Sequence, residues 1–308
     1  MKPPIVIALG GNALIQHHQL GDFRQQLENV SKVCELIAET IPKNQPLVIT
    51  HGNGPQVGNL ELQMKTLSPK IPSMPLDVET AMTQGQIGHM LFLGLDWFYP
   101  KKEISIVGTH VEVSHRDPAF SAPSKPIGPW YGKREALHLK KENIPLFHDP
   151  KKGWRKVVAS PSPRKIISLP TIRALLEKNH IVIACGGGGI PVVRKGNYWH
   201  GAEAVIDKDL SSQVLANSLN AKQMVILTDE DYAYLGYSTK HPLPIKNITP
   251  AIAEEHLAKG EFGKGSMHPK VLAGIRFVRG GGKEAFIGHT QELDNILQYE
   301  SGTCIRKE

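Results

Sequence analysis

Residues 46–58 read PLVITHGNGPQVG. The run from Pro46 to Thr50 is short and apolar, the pattern of a strand buried on both faces. Glycines at 52, 54 and 58 follow at once, and Pro55 suits the first turn of a helix. The same order recurs on either side. Ile5–Leu9 runs into Gly10-Gly11-Asn12-Ala13, and Ile181–Ala184 runs into Cys185-Gly186-Gly187-Gly188-Gly189. Further strands are expected at 104–107, 224–227 and 285–287. Leu27, Val30, Cys34, Ile37 and Ile41 recur at helical spacing. Other helices are expected from about Pro55, over 77–99, 171–178, 209–218 and 269–278, and after Thr249, where Pro250 suits a first helical position. Uninterrupted strands separated by helices predict an α/β fold, a mainly parallel sheet with helices on both faces. Such sheets take ligands beyond the carboxyl ends of their strands, so function is sought in the loops that follow them.

The 308-residue chain is 40 % hydrophobic and 21 % charged, which permits a sizeable core and excludes wholesale disorder. The net charge is +7, carried by scattered residues and short pairs such as Lys101-Lys102, Lys140-Lys141 and Lys151-Lys152. There is no dense basic run and the aromatic share is only 6 %, so small anions are favoured as partners over nucleic acid. Cys34, Cys185 and Cys304 are odd in number and widely spaced. Neither a disulfide framework nor a zinc site is expected, and a reducing, cytoplasmic setting fits. The apolar run at Ile5–Leu9 is too short for a signal peptide or a membrane span.

From about His115 to Lys165 the rhythm breaks into a stretch rich in Pro, Lys, Trp and Ser. A structureless loop of that length is rare in a compact domain, so a small protruding subdomain or lid is expected there. Phe120, Trp130, Tyr131, Phe147 and Trp154 are candidates for a miniature core of its own.

A glycine turn between strand and helix is either a plain turn or a cradle whose N–H groups face an anion. Three of them, each at the end of a strand, together point to phosphate handling. Four adjacent glycines at 186–189 each cost about 0.5–1 kcal/mol relative to alanine in regular structure, which suggests bare backbone kept for a ligand. In HGNGPQVG the third glycine comes one residue late for a dinucleotide fingerprint, and no suitably placed acidic residue follows. A Walker pattern is absent, and His115-Arg116-Asp117 lacks the asparagine of a protein-kinase catalytic loop. The remaining signal is in lysines: Lys125 in SKPIGPWY, Lys208 between Asp207 and Asp209, and Lys270 in GSMHPK. Phosphoryl transfer needs positioning and positive charge around the equatorial oxygens, and lysine supplies a compact charge. Asp209, at the start of a predicted helix, is expected to cap it while facing the lysines.

ALGGNAL, THGNGPQVG, DPAF with KPIGPWY, WRKVVASPSP, IACGGGGIPVV, GAEAVIDKDL and GSMHPKVLA stand in the order of the carbamate kinase set and span residues 8 to about 274. The chain therefore resembles a carbamate kinase of the amino-acid kinase superfamily. That resemblance implies a three-layer αβα sandwich around an open, mostly parallel sheet, with a small protruding subdomain at about 115–165. It also implies a cytoplasmic homodimer that uses ATP or ADP with Mg²⁺, and carbamate or carbamoyl phosphate, without nucleic acid or membrane. In such enzymes ATP can be formed during breakdown of arginine, agmatine or purine-derived carbamoyl compounds.

Carried over by motif, Gly10, Gly11, Asn12, Gly52, Asn53, Gly187 and Gly188 would hold carbamate and the transferred phosphoryl group. Lys125, Lys208 and Lys270 would be catalytic, with Asp209 as their organiser. Asp207, Leu227, Asp229, Tyr237, Gly265, Ser266 and Met267 would bind the nucleotide, whose phosphates would carry the Mg²⁺ without a protein metal site. On this pattern residues to about 220 serve carbamate and those from about 221 the nucleotide. Related acetylglutamate-type kinases carry a lysine in the first strand where this chain has Ala8. His89 and His268 also depart from the pattern, which often has tyrosine and a small residue there. Two rivals remain: a relative acting on another carboxylate, and a degraded sensor of carbamoyl phosphate or nucleotide. The three lysines and Asp209 speak against the sensor.

Overall fold

A computed structural model of the chain describes residues 2–16, 19–150, 152–237, 239, 241–263 and 267–308, with Asn12 described in its backbone alone. The chain begins with β1 (Ile5–Leu9), α1 (Phe23–Thr40), β2 (Leu47–His51), α2 (Gly54–Leu67), α3 (Leu76–Phe98) and β3 (Ile104–Ile106). Next come β4 (His110–Val113), β5 (Lys125–Tyr131), α4 (Lys133–Lys141), β6 (Leu146–Asp149), β7 (Gly153–Val158), β8 (Pro163–Ile166) and α5 (Leu169–Glu177). They are followed by β9 (Ile181–Ile183), β10 (Ile190–Lys195), β11 (Tyr198–Gly201), α6 (Lys208–Ser218) and β12 (Gln223–Thr228). The last part holds β13 (Ala233–Leu235), β14 (Leu243–Ile245), β15 (Asn247–Ile248), α7 (Pro250–Ala258), α8 (Met267–Arg279), β16 (Glu284–His289), α9 (Leu293–Leu297) and β17 (Thr303–Arg306).

The main sheet has eight strands in the order β15-β17-β16-β12-β1-β2-β9-β3. From β16 to β3 every pairing is parallel, and β17 runs antiparallel to β16. β1 lies inside, with Ile5–Leu9 in register with Leu47–His51 on one side and Gln223–Leu227 on the other. All five of its residues are buried, as a strand covered on both faces requires. Alternate residues feed different cores. Val6 and Ala8 join Leu215, Ala216 and Val271 from α6 and α8. Ile5, Ile7 and Leu9 join Val30, Ile37, Ile87 and Leu91 from α1 and α3. The result is a three-layer α/β arrangement.

The described residues between 115 and 165 are built, not structureless. β5, β7 and β6 form a separate antiparallel sheet in the order β5-β7-β6, with α4 packed on it. β8 leaves this unit and joins a second four-stranded sheet, β11-β10-β4-β8. The aromatics do not make the expected private core. Trp130 and Phe147 are exposed, and Phe120 packs against the main core. Trp154 stacks on His148 with ring centroids 4.3 Å apart and carries Lys140 3.8 Å above its ring. The apolar anchor is Val57, Leu76, Ile127, Val158 and Val205, which ties the small sheet to α2, α3 and the approach to α6. Flat rings edged by lysines suit a wet surface better than a five-ring core in so small a sheet.

Candidate active site

The glycine loops meet at the carboxyl edge of the main sheet. Gly52 N donates to Leu9 O at 3.1 Å, joining the turns that follow β2 and β1. A Cβ placed on Gly52 would lie 3.5 Å from Lys208 Cδ and 3.6 Å from Gly11 N. The first two turns and the start of α6 therefore touch. A Cβ on Gly10 would come within 2.9 Å of Leu227 O, while Gly11 has open space to 3.8 Å. The turn after β9 is left-handed from its start, with Cys185 at φ 50° and Gly187, Gly188 and Gly189 at 63°, 88° and 93°. Its glycines are also demanded by packing. Added Cβ atoms would lie 2.4 Å from His51 Nε2 at Gly186, 2.3 Å from Asn53 Nδ2 at Gly187 and 2.3 Å from Ile206 O at Gly188. Close internal packing thus explains this run directly, beyond any need for backbone facing a ligand.

Several polar residues that the sequence reading did not single out hold these turns. Asn53 Nδ2 donates to Thr83 Oγ1 at 2.9 Å. Gln84 Nε2 donates to Gly186 O at 2.8 Å, and Gln84 Oε1 accepts from Thr109 N at 3.0 Å. Thr109 Oγ1 accepts from Cys185 N at 2.9 Å. Ser211 Oγ donates to Gly188 O, and Ser212 Oγ lies 2.6 Å from Thr50 Oγ1. A signal existed: Glu79, Thr80, Thr83 and Gln84 recur at helical spacing and put a polar, buried face on α3. His51 is buried beneath the third turn. Burial, with Lys208 nearby, pushes its imidazole down to about 4 although the Gly52 carbonyl opposes this, so it is neutral at pH 7.

Lys125, Asp207, Lys208, Asp209 and Lys270 come from three distant parts of the chain and converge. Lys208 and Lys270 donate to the two oxygens of Asp209, Lys208 to Oδ1 and Lys270 to Oδ2 at 3.2 Å. Lys125 Nζ donates to Asp207 Oδ2 at 2.6 Å. The expected cap is two residues out of place: Asp207, not Asp209, caps α6, its Oδ1 accepting from Asp209 N at 2.9 Å and Leu210 N at 3.4 Å. Asp209 lies inside the first turn, and both its oxygens are given to lysines. Burial opposes charge throughout this group, and its neighbours decide the outcome. For Lys208, burial with Lys270 outweighs the aspartates and lowers the ammonium's pKa. For Lys270, Asp209 and Asp207 outweigh burial and raise it. For Asp207, the ammonium of Lys125, with Lys270 and Lys208 behind it, overcomes burial and holds the carboxyl below the usual carboxylate range.

The residues expected at the nucleotide are only partly gathered. Asp229 follows β12 and accepts from Thr228 Oγ1 at 3.1 Å; its charge bears on both Lys270 and Tyr237. Tyr237 is exposed and donates to Glu230 Oε1 at 2.7 Å. The side chains of Leu227 and Met267 are buried in the two cores, so only their backbone faces the edge. Asp207 has both oxygens engaged within the chain. Gly265 and Ser266 lie outside the described residues, as does the side chain of Asn12. Among the described residues no group of three His, Cys, Asp or Glu is placed to hold a metal, and no helix is long and apolar enough to cross a membrane.

Residues 3–289 match the amino acid kinase family. The chain is 44 % identical over 312 residues to the carbamate kinase of Pyrococcus horikoshii, and the match covers 99 % of both. This chain belongs to the carbamate kinases of the amino acid kinase family. A carbamate kinase from Giardia lamblia bound to AMP-PNP has the same fold, with a TM-score of 0.90 at 36 % identity over 99 % of both chains. Carbamate kinase 2 of Enterococcus faecalis is 41 % identical over 98 % of both. The carbamate kinase fold is thus present from end to end, and the αβα sandwich expected from the motifs is the one observed.

Proposed function

We infer that this member of the carbamate kinases moves a phosphoryl group reversibly between carbamoyl phosphate and ADP, with its net role in forming ATP during catabolism. The observation that carries the site assignment is the meeting of three lysines with two aspartates at the carboxyl edge of a parallel sheet. In the ATP-forming direction a β-phosphate oxygen of ADP attacks the phosphorus of carbamoyl phosphate. The bond to the carbamate oxygen breaks, and carbamate leaves as an anion. No proton has to be removed from the attacking oxygen, so the demand is for positive charge around the equatorial oxygens. Lys208 and Lys270 supply it from a buried position, where charge acts more strongly than in water. Asp209 holds the two ammonium groups apart and aimed. Lys125 reaches the same place from the small sheet.

The turns at Gly10–Asn12, Gly52–Asn53 and Gly187–Gly188 would take carbamate and the transferred group, and residues from about 221 onward the nucleotide, with Asp229 and Tyr237 nearest its base and sugar. The backbone of Met267 would approach its phosphates; Gly265 and Ser266, expected beside it, lie outside the described residues. Asp207 and Asp209 are both committed to lysines, which fits a Mg²⁺ that arrives on the nucleotide phosphates and keeps water ligands. The ion would supply further neutralisation of the phosphate oxygens.

The small sheet acts as a lid over carbamate. A cleft of about 750 Å³ separates α2 from α4, lined by Glu61, Lys65, Arg134 and His138, and gives it room to move. Unchanged hydrogen exchange over 125–158 with and without a substrate analogue would count against closure. The enzyme is a cytoplasmic homodimer. Exposed Val78, Met82, Leu93 and Trp97 on α3 give a second copy an apolar surface.

The test is ATP formation from ADP and carbamoyl phosphate with Mg²⁺, measured against spontaneous decay of carbamoyl phosphate. ATP above that background is expected, with none when the acyl phosphate of an amino acid, such as acetylglutamyl phosphate, replaces the donor. Folded protein that forms no ATP would refute the assignment.

A further inference from the structure

We propose that Asp207 is a positioning residue for the transfer: it holds Lys125 at a fixed distance from Lys208 and Lys270, and it acts on turnover through Lys125. The proposal rests on the role given to Lys125 above and replaces a nucleotide-binding role for Asp207.

The two oxygens of Asp207 serve two different units. Oδ1 accepts from Asp209 N at 2.9 Å and Leu210 N at 3.4 Å and so fixes the first turn of α6, from which Lys208 and Asp209 project. Oδ2 accepts from Lys125 Nζ at 2.6 Å, an ammonium that belongs to the small sheet. One carboxylate therefore sets the spacing between a helix of the main body and a charge carried by another sheet. The connection is closed by backbone into a ring. Lys125 pairs with Val158 across β5 and β7. Ala159, the next residue, bridges Ala204, and Val205 N donates to Ala159 O at 2.9 Å. Two residues later the chain reaches Asp207. Strand pairing, a bridge, a short segment and one ion pair thus form a circuit, and Asp207 is its only side-chain carboxylate.

The chemistry suits a resting place for an ammonium. Asp207 is mostly buried while Lys125 remains 30 % exposed at its side chain, so the cation is the partner that an entering substrate can reach. Three lysines are set against Asp207 and Asp209 here, with the charge of Asp229 also bearing on Lys270. An entering phosphoryl group finds Lys125 already aimed and has only to share it with Asp207. A charge held in place before reaction needs no reorganisation during it.

Asp207→Asn keeps an oxygen able to cap α6 but loses the charge that holds Lys125. Kinetics of Asp207→Asn, Lys125→Ala and the double variant separate the possibilities, with thermal melts to confirm folding. If the asparagine variant does not fold, Asp207→Ser, which also caps, takes its place. Expected is a fall in kcat of about 10–100-fold for Asp207→Asn, the scale of a misplacement near 1 Å, with KM for ADP unchanged. In the Lys125→Ala background the same substitution should then cause no further loss. An equal loss in both backgrounds would show that Asp207 does not act through Lys125 and would overturn the proposal. So would a rise in KM for ADP at parental kcat, which is the signature of nucleotide binding. Parental turnover in Lys125→Ala is a different failure: it removes Lys125 from the reaction itself.

Discussion

Gly58→Ala tests whether the small sheet sets the position of Lys125. Gly58 lies in α2 against the left-handed Gly128 of β5. A Cβ added there would stand 1.9 Å from Gly128 N, 2.0 Å from its Cα and 3.1 Å from Ile127 C. All three are backbone atoms, so no side chain can swing aside. Ordinary contact is near 3.5 Å, and β5 must therefore lift by about 1.5 Å from α2. Lys125 is three residues away on the same strand and should be carried with it. A misplacement of about 1 Å can cost on the order of 100-fold in rate, so kcat for ATP formation should fall by about that much. Overpacking should destabilise by about 1–3 kcal/mol, partly offset by the roughly 1 kcal/mol that alanine gains over glycine inside a helix. The protein should therefore remain folded in a thermal melt. Gly108→Ala, whose Cβ meets nothing within 4 Å, is the matched control and should leave kcat alone. Parental kcat in folded Gly58→Ala would show that β5 can ride off α2 without moving the lysine, and the reasoning would fail.

Lys208→Ala and Lys270→Ala should each lower kcat by about 100- to 1000-fold, near 3 kcal/mol of lost charge stabilisation, in proteins that melt cooperatively. Near-parental turnover in either removes that lysine from the site. Asp209→Asn should lose activity while the pH–rate profile keeps its shape; disappearance of an acid limb present in the parent would make Asp209 a base. Glu79 is buried in α3, and burial, with Glu61 and Glu203 set against Lys156 and Lys65, pushes its carboxyl up to about 7 from an ordinary 4.5. Folded protein keeps this proton after the unfolded chain has released it, so stability contributed here falls as pH rises from about 4.5 to 7. At about 1.36 kcal/mol per pH unit the loss has a ceiling a little above 3 kcal/mol, which Glu79→Gln should abolish. Urea midpoints at pH 5 and 8 measure it, and equal slopes in parent and variant would exclude Glu79 as the source.

The central strands were legible because burial on both faces leaves a run of apolar letters. β1 spans the expected residues, and β2, β12 and β16 differ by a residue or two at their ends. β5 was not legible: it holds Pro126 and Pro129, which argue against a strand, yet it lies at an edge of its sheet where proline is tolerated. β17 was missed as well, since four residues ending in Arg306 give too short a pattern. At the site, residue types and spacing pointed to Lys125, Lys208, Asp209 and Lys270, which the fold does gather. They could not say which aspartate caps α6, because DKD offers two carboxylates two residues apart. Nor could they separate a glycine kept for a ligand from one kept for a neighbour: the clash of Gly187 with Asn53 exists only once β2 and β9 lie side by side.

The main sheet is also a partition. Val6 and Ile7 are adjacent in sequence, yet Val6 belongs to the core shared with α6 and α8 and Ile7 to the core shared with α1 and α3. The lysines of α6 and α8 and the turn-holding Thr83 and Gln84 of α3 are therefore supported from opposite sides of one wall. Side chains that share no partner contribute to stability almost additively. Damage within one core is then largely confined to that layer, and the two are coupled where they meet, at the Gly186–Gly189 turn held by Gln84 from one side and Ser211 from the other.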